Sequence, residues 1–97
     1  MLPDGFHWAP RTHLDKTPNA VFVDGHVVAY VDSREDGGWF VRLEVQQPFE
    51  APLVMRPARS WDTARAGIET WVCRHEARLR REVEAKNGRL PRHCGAG

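Results

Sequence analysis

Arginine side chains at helical spacing are the first residues of this sequence that could do chemistry. Arg74, Arg78 and Arg81 would share one stripe of a helix, beside its apolar face, and Arg89 and Arg92 extend that stripe. Guanidinium groups bind phosphates or carboxylates. Glutamates at pairing distance lie on the other flank and leave the stripe uncompensated. The pattern predicts an anion-binding surface for nucleic acid or an acidic protein patch; a solvated helix face is the alternative interpretation.

Acidic residues form a second candidate set, at the turns of the predicted sheet. Such carboxylates could meet a basic partner, or they could simply keep the turns soluble. Their spacing lacks the alternating oxygen ligands and the closing glutamate of a calcium loop. The candidates are Asp24, Asp32, Glu35 and Asp36.

Aromatic residues provide the third candidate surface. Along the strand alternation, Tyr30 and Phe40 fall on the sheet face away from the helix, near Val28. If exposed, this patch would be a binding surface. The alternative is that the N-terminal segment, with Trp8, folds over that face and covers it.

The recognised signatures of catalysis are absent from the sequence, which has no G-x-S-x-G, no H-E-x-x-H and no P-loop. Cys73 and His75 are two residues apart on a helix, which puts them on different faces and disfavours a shared metal. A domain this small also has little room for an enclosed substrate pocket. We therefore predict a protein that is not an enzyme, with no catalytic residue, no metal and no cofactor.

Strand signals dominate the first half of the chain. Two apolar runs at residues 21–23 and 26–31 flank Asp24-Gly25, a pair that favours a two-residue hairpin turn. Residues 39–45 alternate apolar and polar, which indicates a half-buried strand. Residues 53–56 predict a short last strand with Leu53 and Met55 inward. A short edge strand is possible around residues 6–9.

A long amphipathic helix follows. Ser60 is a suitable N-cap, and the apolar period of 3.6 runs from residue 61 to about residue 86. Asn87-Gly88 predicts its end. The predicted core joins a helix stripe to one sheet face; its members are Ala64, Ile68, Trp71, Val72, His75, Leu79 and Val83 with Val27, Ala29, Val31, Val41 and Leu43.

These elements predict an α+β fold, an antiparallel meander of three or four strands packed against one long C-terminal helix. The expected domain spans residues 1–88. It comprises an irregular segment at residues 1–19, a meander at residues 20–58 and a helix at residues 60–87. Residues 89–97 are expected to form a flexible tail.

Composition and charge limit the class of protein. The 97 residues are 41% hydrophobic and 28% charged, which is typical of one globular domain. Residues 1–55 hold four Lys or Arg against eight Asp or Glu, whereas residues 56–97 hold ten against five. Without a long apolar run or a signal sequence, and with two cysteines, the chain is expected in the cytoplasm with reduced thiols, although a disulfide is a minor alternative.

Two resemblances add to this interpretation. The segments GWFVRL at residues 38–43 and DTAR at residues 62–65 resemble the third strand and helix of the AP2 DNA-binding domain. Members of that family read DNA with sheet residues, which implies a DNA-binding role for Arg42.

The pattern VAYV at residues 28–31, GGWFVRL at residues 37–43 and WVCRH at residues 71–75 resembles small phage, prophage and plasmid proteins of GC-rich bacteria. Such proteins are often stoichiometric inhibitors of host defence, anti-CRISPR proteins among them. The resemblance implies an inhibitor that binds a protein partner, with a CRISPR effector subunit as the candidate. Direct nucleic-acid binding is the alternative, and no membrane partner is expected.

Overall fold

A five-stranded antiparallel sheet and one helix make up the described part of the chain. The computed structural model describes residues 1–48 and 50–96, with side chains through residue 87. The strands follow chain order across the sheet, and the helix packs on one face, so the predicted α+β class is confirmed. The sheet has five strands rather than the predicted three or four, because residues 6–9 pair with residues 20–23. The elements are β1 (Phe6–Ala9), β2 (Ala20–Val23), β3 (His26–Ser33), β4 (Trp39–Leu43), β5 (Val54–Ala58) and α1 (Trp61–Ala96).

The hairpin of β2 and β3 forms at the predicted turn. Asp24 and Gly25 have φ values of 50° and 81°. Both lie in the left-handed region that a type I′ turn requires at its two central positions. The turn therefore fixes the pairing of β2 with β3.

Replacing Gly25 with alanine is expected to lower the free energy of unfolding by about 1 kcal/mol, because a side chain is disfavoured at positive φ. Added bulk contributes nothing, since a Cβ at Gly25 meets no atom within 4 Å. Gly67 in α1 has the same open space, but in a helix Gly67→Ala is expected to raise stability by about 0.5–1 kcal/mol. Urea unfolding of both variants checks this; a shift of the same sign in both would contradict the backbone explanation.

A β-bulge changes the burial pattern of β3. The register shifts between Val21 and Phe22, so that Ala29 pairs with Val21 and Val27 pairs with Phe22. Val28 is the extra residue, and it is fully buried in the core. The prediction that Val27 belongs to the core is therefore wrong: Val27 is half-buried.

The side chains of the last strand, β5, face the opposite sides of the sheet from those predicted. Val54 pairs with Leu43 and Met55 pairs with Arg42, and paired residues share a face. Leu53 and Met55, predicted inward, are instead 75% and 59% exposed.

The helix begins as predicted and ends later. The Ser60 hydroxyl accepts a hydrogen bond from the Thr63 backbone N–H at 3.1 Å, which is an N-cap contact. The predicted stop at Asn87-Gly88 is wrong, because α1 continues to Ala96. Asn87 does not cap the helix; its side chain donates to the Asp24 carbonyl and bonds the His26 ring at 2.8 Å. Within the described residues, no helix is long and apolar enough to cross a membrane.

The core lies between the sheet and α1. The helix has a kink at His75, where φ is −114° and ψ is 17°, so apolar residues on both sides of the kink contact the sheet. The fully buried side chains of largest volume are Ile68, Leu79, Val21, Val23, Val28, Val31, Val72 and Val83.

Candidate binding surface on the sheet

The face of the sheet away from α1 brings together several predicted site residues. Tyr30 of β3 pairs with Arg42 of β4, and Asp32 pairs with Phe40. Paired residues share a face, and their neighbours Val31 and Val41 lie in the core against the helix. The prediction that Tyr30 and Phe40 point away from the helix is therefore confirmed. We call this surface the helix-free face.

Arg11, rather than Trp8, covers Tyr30. The Arg11 guanidinium lies 4.3 Å from the centre of the Tyr30 ring and that of Arg42 lies 5.7 Å away. Tyr30 is consequently only 9% exposed. The predicted open patch of Tyr30, Phe40 and Val28 is wrong, because Val28 is in the core and Tyr30 lies beneath an arginine.

Trp8 lies on the opposite side of the sheet. Its indole N–H donates to the Glu69 carboxylate at 2.8 Å, and the Arg65 guanidinium lies 4.4 Å from its ring centre. The hydrogen bond from Trp8 is the main reason that the pKa of Glu69 is below its ordinary value. Covering of the helix-free face by Trp8 is therefore excluded.

An open groove of about 420 Å³ runs beside Tyr30. Arg11 and Arg42 line its polar part, and Val27, Val45 and Leu53 are among its apolar lining residues. Met55 lies next to Arg42 on the same face. The groove therefore combines two cations and exposed aliphatic surface at one place.

Within the described residues, the two arginines of this groove have no salt-bridge partner. Glu44 also lines the groove, but both of its carboxylate oxygens accept hydrogen bonds from Arg78, at 2.9 and 2.7 Å. The two guanidinium groups of the groove are therefore available to an external anion.

Arg78 has a structural role, which corrects the prediction of an uncompensated stripe. It holds Glu44 in a bidentate pair and also contacts Glu82 at 3.2 Å. Glu44 has a φ of 60°, which explains why β4 ends at Leu43 rather than at residue 45. The hydrogen bond from Arg78 holds the pKa of Glu44 below its ordinary value of 4.5, while partial burial acts in the opposite direction.

Two glutamines complete this polar cluster. Gln46 is buried, and its amide donates to Glu82 at 2.7 Å; Gln47 donates to the same carboxylate at 3.2 Å. We call the set of Glu44, Gln46, Gln47, Arg78 and Glu82 the clamp, since it ties the loop after β4 to α1.

Other members of the predicted arginine stripe remain on the surface. Arg74 and Arg81 are exposed, and within the described residues neither makes a salt bridge. The side chains of Arg89 and Arg92 lie outside the described residues. Among the described side chains of the stripe, Arg74 and Arg81 are therefore the cations that make no salt bridge.

The acidic candidates do not form one patch. Asp24 is in the turn between β2 and β3, whereas Glu35 and Asp36 are in the loop between β3 and β4. Because β3 is eight residues long, these turns lie at opposite ends of the sheet. Asp36 is also paired with Arg34 at 3.5 Å. Asp32 alone lies on the helix-free face.

Metal ligands are not clustered in the part of the chain that the structure describes: no group of three His, Cys, Asp or Glu residues is placed to hold an ion. Cys73 is exposed and unpaired as a thiol, and the Cys94 side chain lies outside the described residues.

The groove contains residues that sequence reasoning missed. Arg11 lies in the irregular segment between β1 and β2, where no periodicity predicts a side chain's direction. Within this segment, the Arg11 backbone N–H donates a hydrogen bond to the Asn19 side chain at 2.8 Å. The prediction that Leu53 points inward is wrong because the alternation of residues 53–56 was assigned to the opposite faces of the sheet.

Comparison of the chain with protein-family models, with curated proteins and with solved structures gives no match in any of the three.

Proposed function

We propose that this chain is a small, non-enzymatic protein that binds a protein partner through its helix-free face. The observation that carries the proposal is the position of Leu53 and Met55, 75% and 59% exposed, beside Arg42 and Tyr30. Methionine and arginine are among the residue types that are enriched at protein interfaces. A five-stranded sheet also presents such side chains in a fixed geometry, which lowers the entropic cost of binding.

The partner that we propose is a subunit of a host nucleic-acid-processing defence complex, which the chain would inhibit stoichiometrically in the bacterial cytoplasm, as anti-CRISPR proteins do. The resemblance to small phage and prophage proteins directs the proposal to this class of target. The net charge of +1 supports a protein partner over non-specific phosphate binding, which generally relies on a strongly basic surface.

A pull-down of the tagged protein from bacteria expressing a CRISPR effector complex tests this function, with nuclease added to a parallel sample. We expect the effector subunit to be recovered in both samples. Met55→Glu places a charge on the exposed aliphatic surface and is expected to abolish recovery. Thr70→Glu is the matched control, because it adds the same side chain to an exposed position of α1. Recovery that is unaffected by Met55→Glu would contradict the proposed surface.

A second candidate function is DNA binding by the sheet, in the manner that the AP2 resemblance implies. The position of Arg42 on the helix-free face favours it. It predicts an affinity for duplex DNA that falls steeply with salt and weakens in Arg42→Gln. Measurement of fluorescence anisotropy with labelled duplex checks this, and an affinity indifferent to salt and to Arg42→Gln would exclude it.

A further inference from the structure

We infer that the groove formed by Arg11, Tyr30 and Arg42 is a carboxylate-binding site, which receives an acidic side chain from an extended segment of the partner protein. The inference rests on the proposed function, since it names the chemistry by which the helix-free face would recognise that partner. It begins from two guanidinium groups that approach one aromatic ring, at 4.3 and 5.7 Å from its centre.

Both arginines are restrained before any ligand binds, by their backbone hydrogen bonds and by the Tyr30 ring. Arg42 belongs to β4, which is paired on both sides. The Arg11 guanidinium lies over the Tyr30 ring, and a hydrogen bond from the Arg11 backbone N–H to the Asn19 side chain holds the backbone there. A guanidinium that is already ordered loses less entropy when it makes a bidentate contact with a carboxylate. The site is therefore organised for a planar anion.

The surroundings favour a protein carboxylate over a nucleic-acid phosphate. A groove for single-stranded nucleic acid combines a positive track along the backbone with exposed aromatic rings for stacking. Among the described residues that line this groove, only Arg11 and Arg42 are cations, and Tyr30 is covered by Arg11 and 9% exposed. Val27, Val45 and Leu53 instead offer an aliphatic wall. An acidic residue flanked by apolar residues satisfies both parts of the groove.

Tyr30 gives a direct readout of this site, because it is the only tyrosine of the chain. In protein labelled with ¹³C only at tyrosine, the ring signals arise from the groove alone. The probes are the peptide acetyl-Leu-Glu-Glu-Leu-amide, its Gln-Gln counterpart, and an oligothymidylate. We expect the glutamate peptide to shift the Tyr30 signals saturably, and the other two probes to leave them unchanged.

Arginine variants locate the contact. Arg11→Gln and Arg42→Gln are each expected to weaken the glutamate peptide about tenfold, since each removes a charge-assisted hydrogen bond. For Arg11→Gln, the free Tyr30 signals also move, so its affinity is read from the concentration dependence of the peptide-induced change. Arg74→Gln is the control, because Arg74 is exposed on α1, and it is expected to leave the affinity unchanged.

Three results would overturn the inference. They are equal binding of the glutamate and glutamine peptides, retention of affinity in both arginine variants, and a Tyr30 response to oligothymidylate but not to the peptide, which would assign the groove to nucleic acid. The failure of the proposed function is separable. A groove that binds the peptide in a protein that captures no effector subunit leaves the site intact and removes only the function. If the effector subunit is still captured after both arginine replacements, the proposed function stands and the carboxylate-binding site is excluded.

Discussion

Replacing Ile68 with alanine is expected to lower the free energy of unfolding by about 3–4 kcal/mol, which is the cost of removing buried methylene groups and leaving a cavity. Ile68 is fully buried on the part of α1 that precedes the kink at His75. A domain of this size has only about 5–15 kcal/mol of total stability. The same change is therefore expected to lower the melting temperature by at least about 12 °C.

Urea unfolding followed by far-UV circular dichroism measures this loss. Thr70→Ala is the matched control, because it removes side-chain atoms from an exposed position of the same helix and is expected to change stability by less than about 0.5 kcal/mol. A loss below about 1 kcal/mol for Ile68→Ala would contradict the packing of α1 on the sheet. The proposed binding function is expected to fail in this variant only at temperatures where it unfolds.

Replacing Arg78 with alanine is the second change with a large expected effect. The bidentate contact with Glu44 and the contact with Glu82 are lost together, and two partly buried carboxylates are left near each other. Loss of hydrogen bonds to charged groups generally costs about 1.5–3 kcal/mol. Because Arg78 is 31% exposed, solvent screening moderates the loss. We expect the free energy of unfolding, measured by urea denaturation, to fall by about 2 kcal/mol.

The effect of Arg78→Ala is expected to depend on pH. Arg78 lowers the pKa of Glu44 in the folded state below its ordinary value of 4.5. The stabilisation from this pair is therefore fully present above about that pH and is lost as the pH falls through the folded-state pKa.

Comparison of the wild-type protein with Arg78→Ala between neutral and acidic pH tests this direction. The stability difference is expected to shrink as the solution becomes more acidic. Arg74→Ala is the control, because Arg74 is exposed and makes no salt bridge within the described residues; its effect is expected to be small at every pH. A stability difference between the wild-type protein and Arg78→Ala that stays constant with pH would show that Arg78 does not lower the pKa of Glu44.

The features that the sequence predicted correctly are those that neighbouring residues determine. Asp24-Gly25 specifies a tight turn by its backbone preferences, and the β2–β3 hairpin forms there. The alternation from Trp39 to Leu43 depends only on the period of a strand. The cap at Ser60 and the apolar period of α1 are equally local. These signals were sufficient to predict the fold class.

The predictions that failed depend on contacts between distant residues. A single extra residue, Val28, moves β3 out of its simple alternation, and nothing in the sequence of β3 specifies the bulge. Glu44 and Arg78 are 34 residues apart, so helical spacing alone could not reveal that this arginine was already paired. The helix passes its predicted end, and Asn87 bonds Asp24 and His26 across the fold.

The candidate site was predictable in part for the same reason. Strand alternation placed Tyr30 and Phe40 on the face away from the helix, and the AP2 resemblance singled out Arg42. Arg11 comes from an irregular segment, and its contact with Tyr30 depends on how that segment crosses the sheet. Met55 became part of the surface only once the register of β5 with β4 was known.

The tryptophans and the tyrosine divide between the two faces of the sheet, which gives the protein two spectroscopic reporters. All four tryptophans pack on the helix side, and the edge-on pair of Trp39 and Trp61 is 5.5 Å apart. Separation of α1 from the sheet would expose these indoles and shift their emission to longer wavelength. The NMR ring signals of Tyr30 report instead on the helix-free face. Unfolding followed by both signals would therefore reveal whether the helix leaves before the sheet opens.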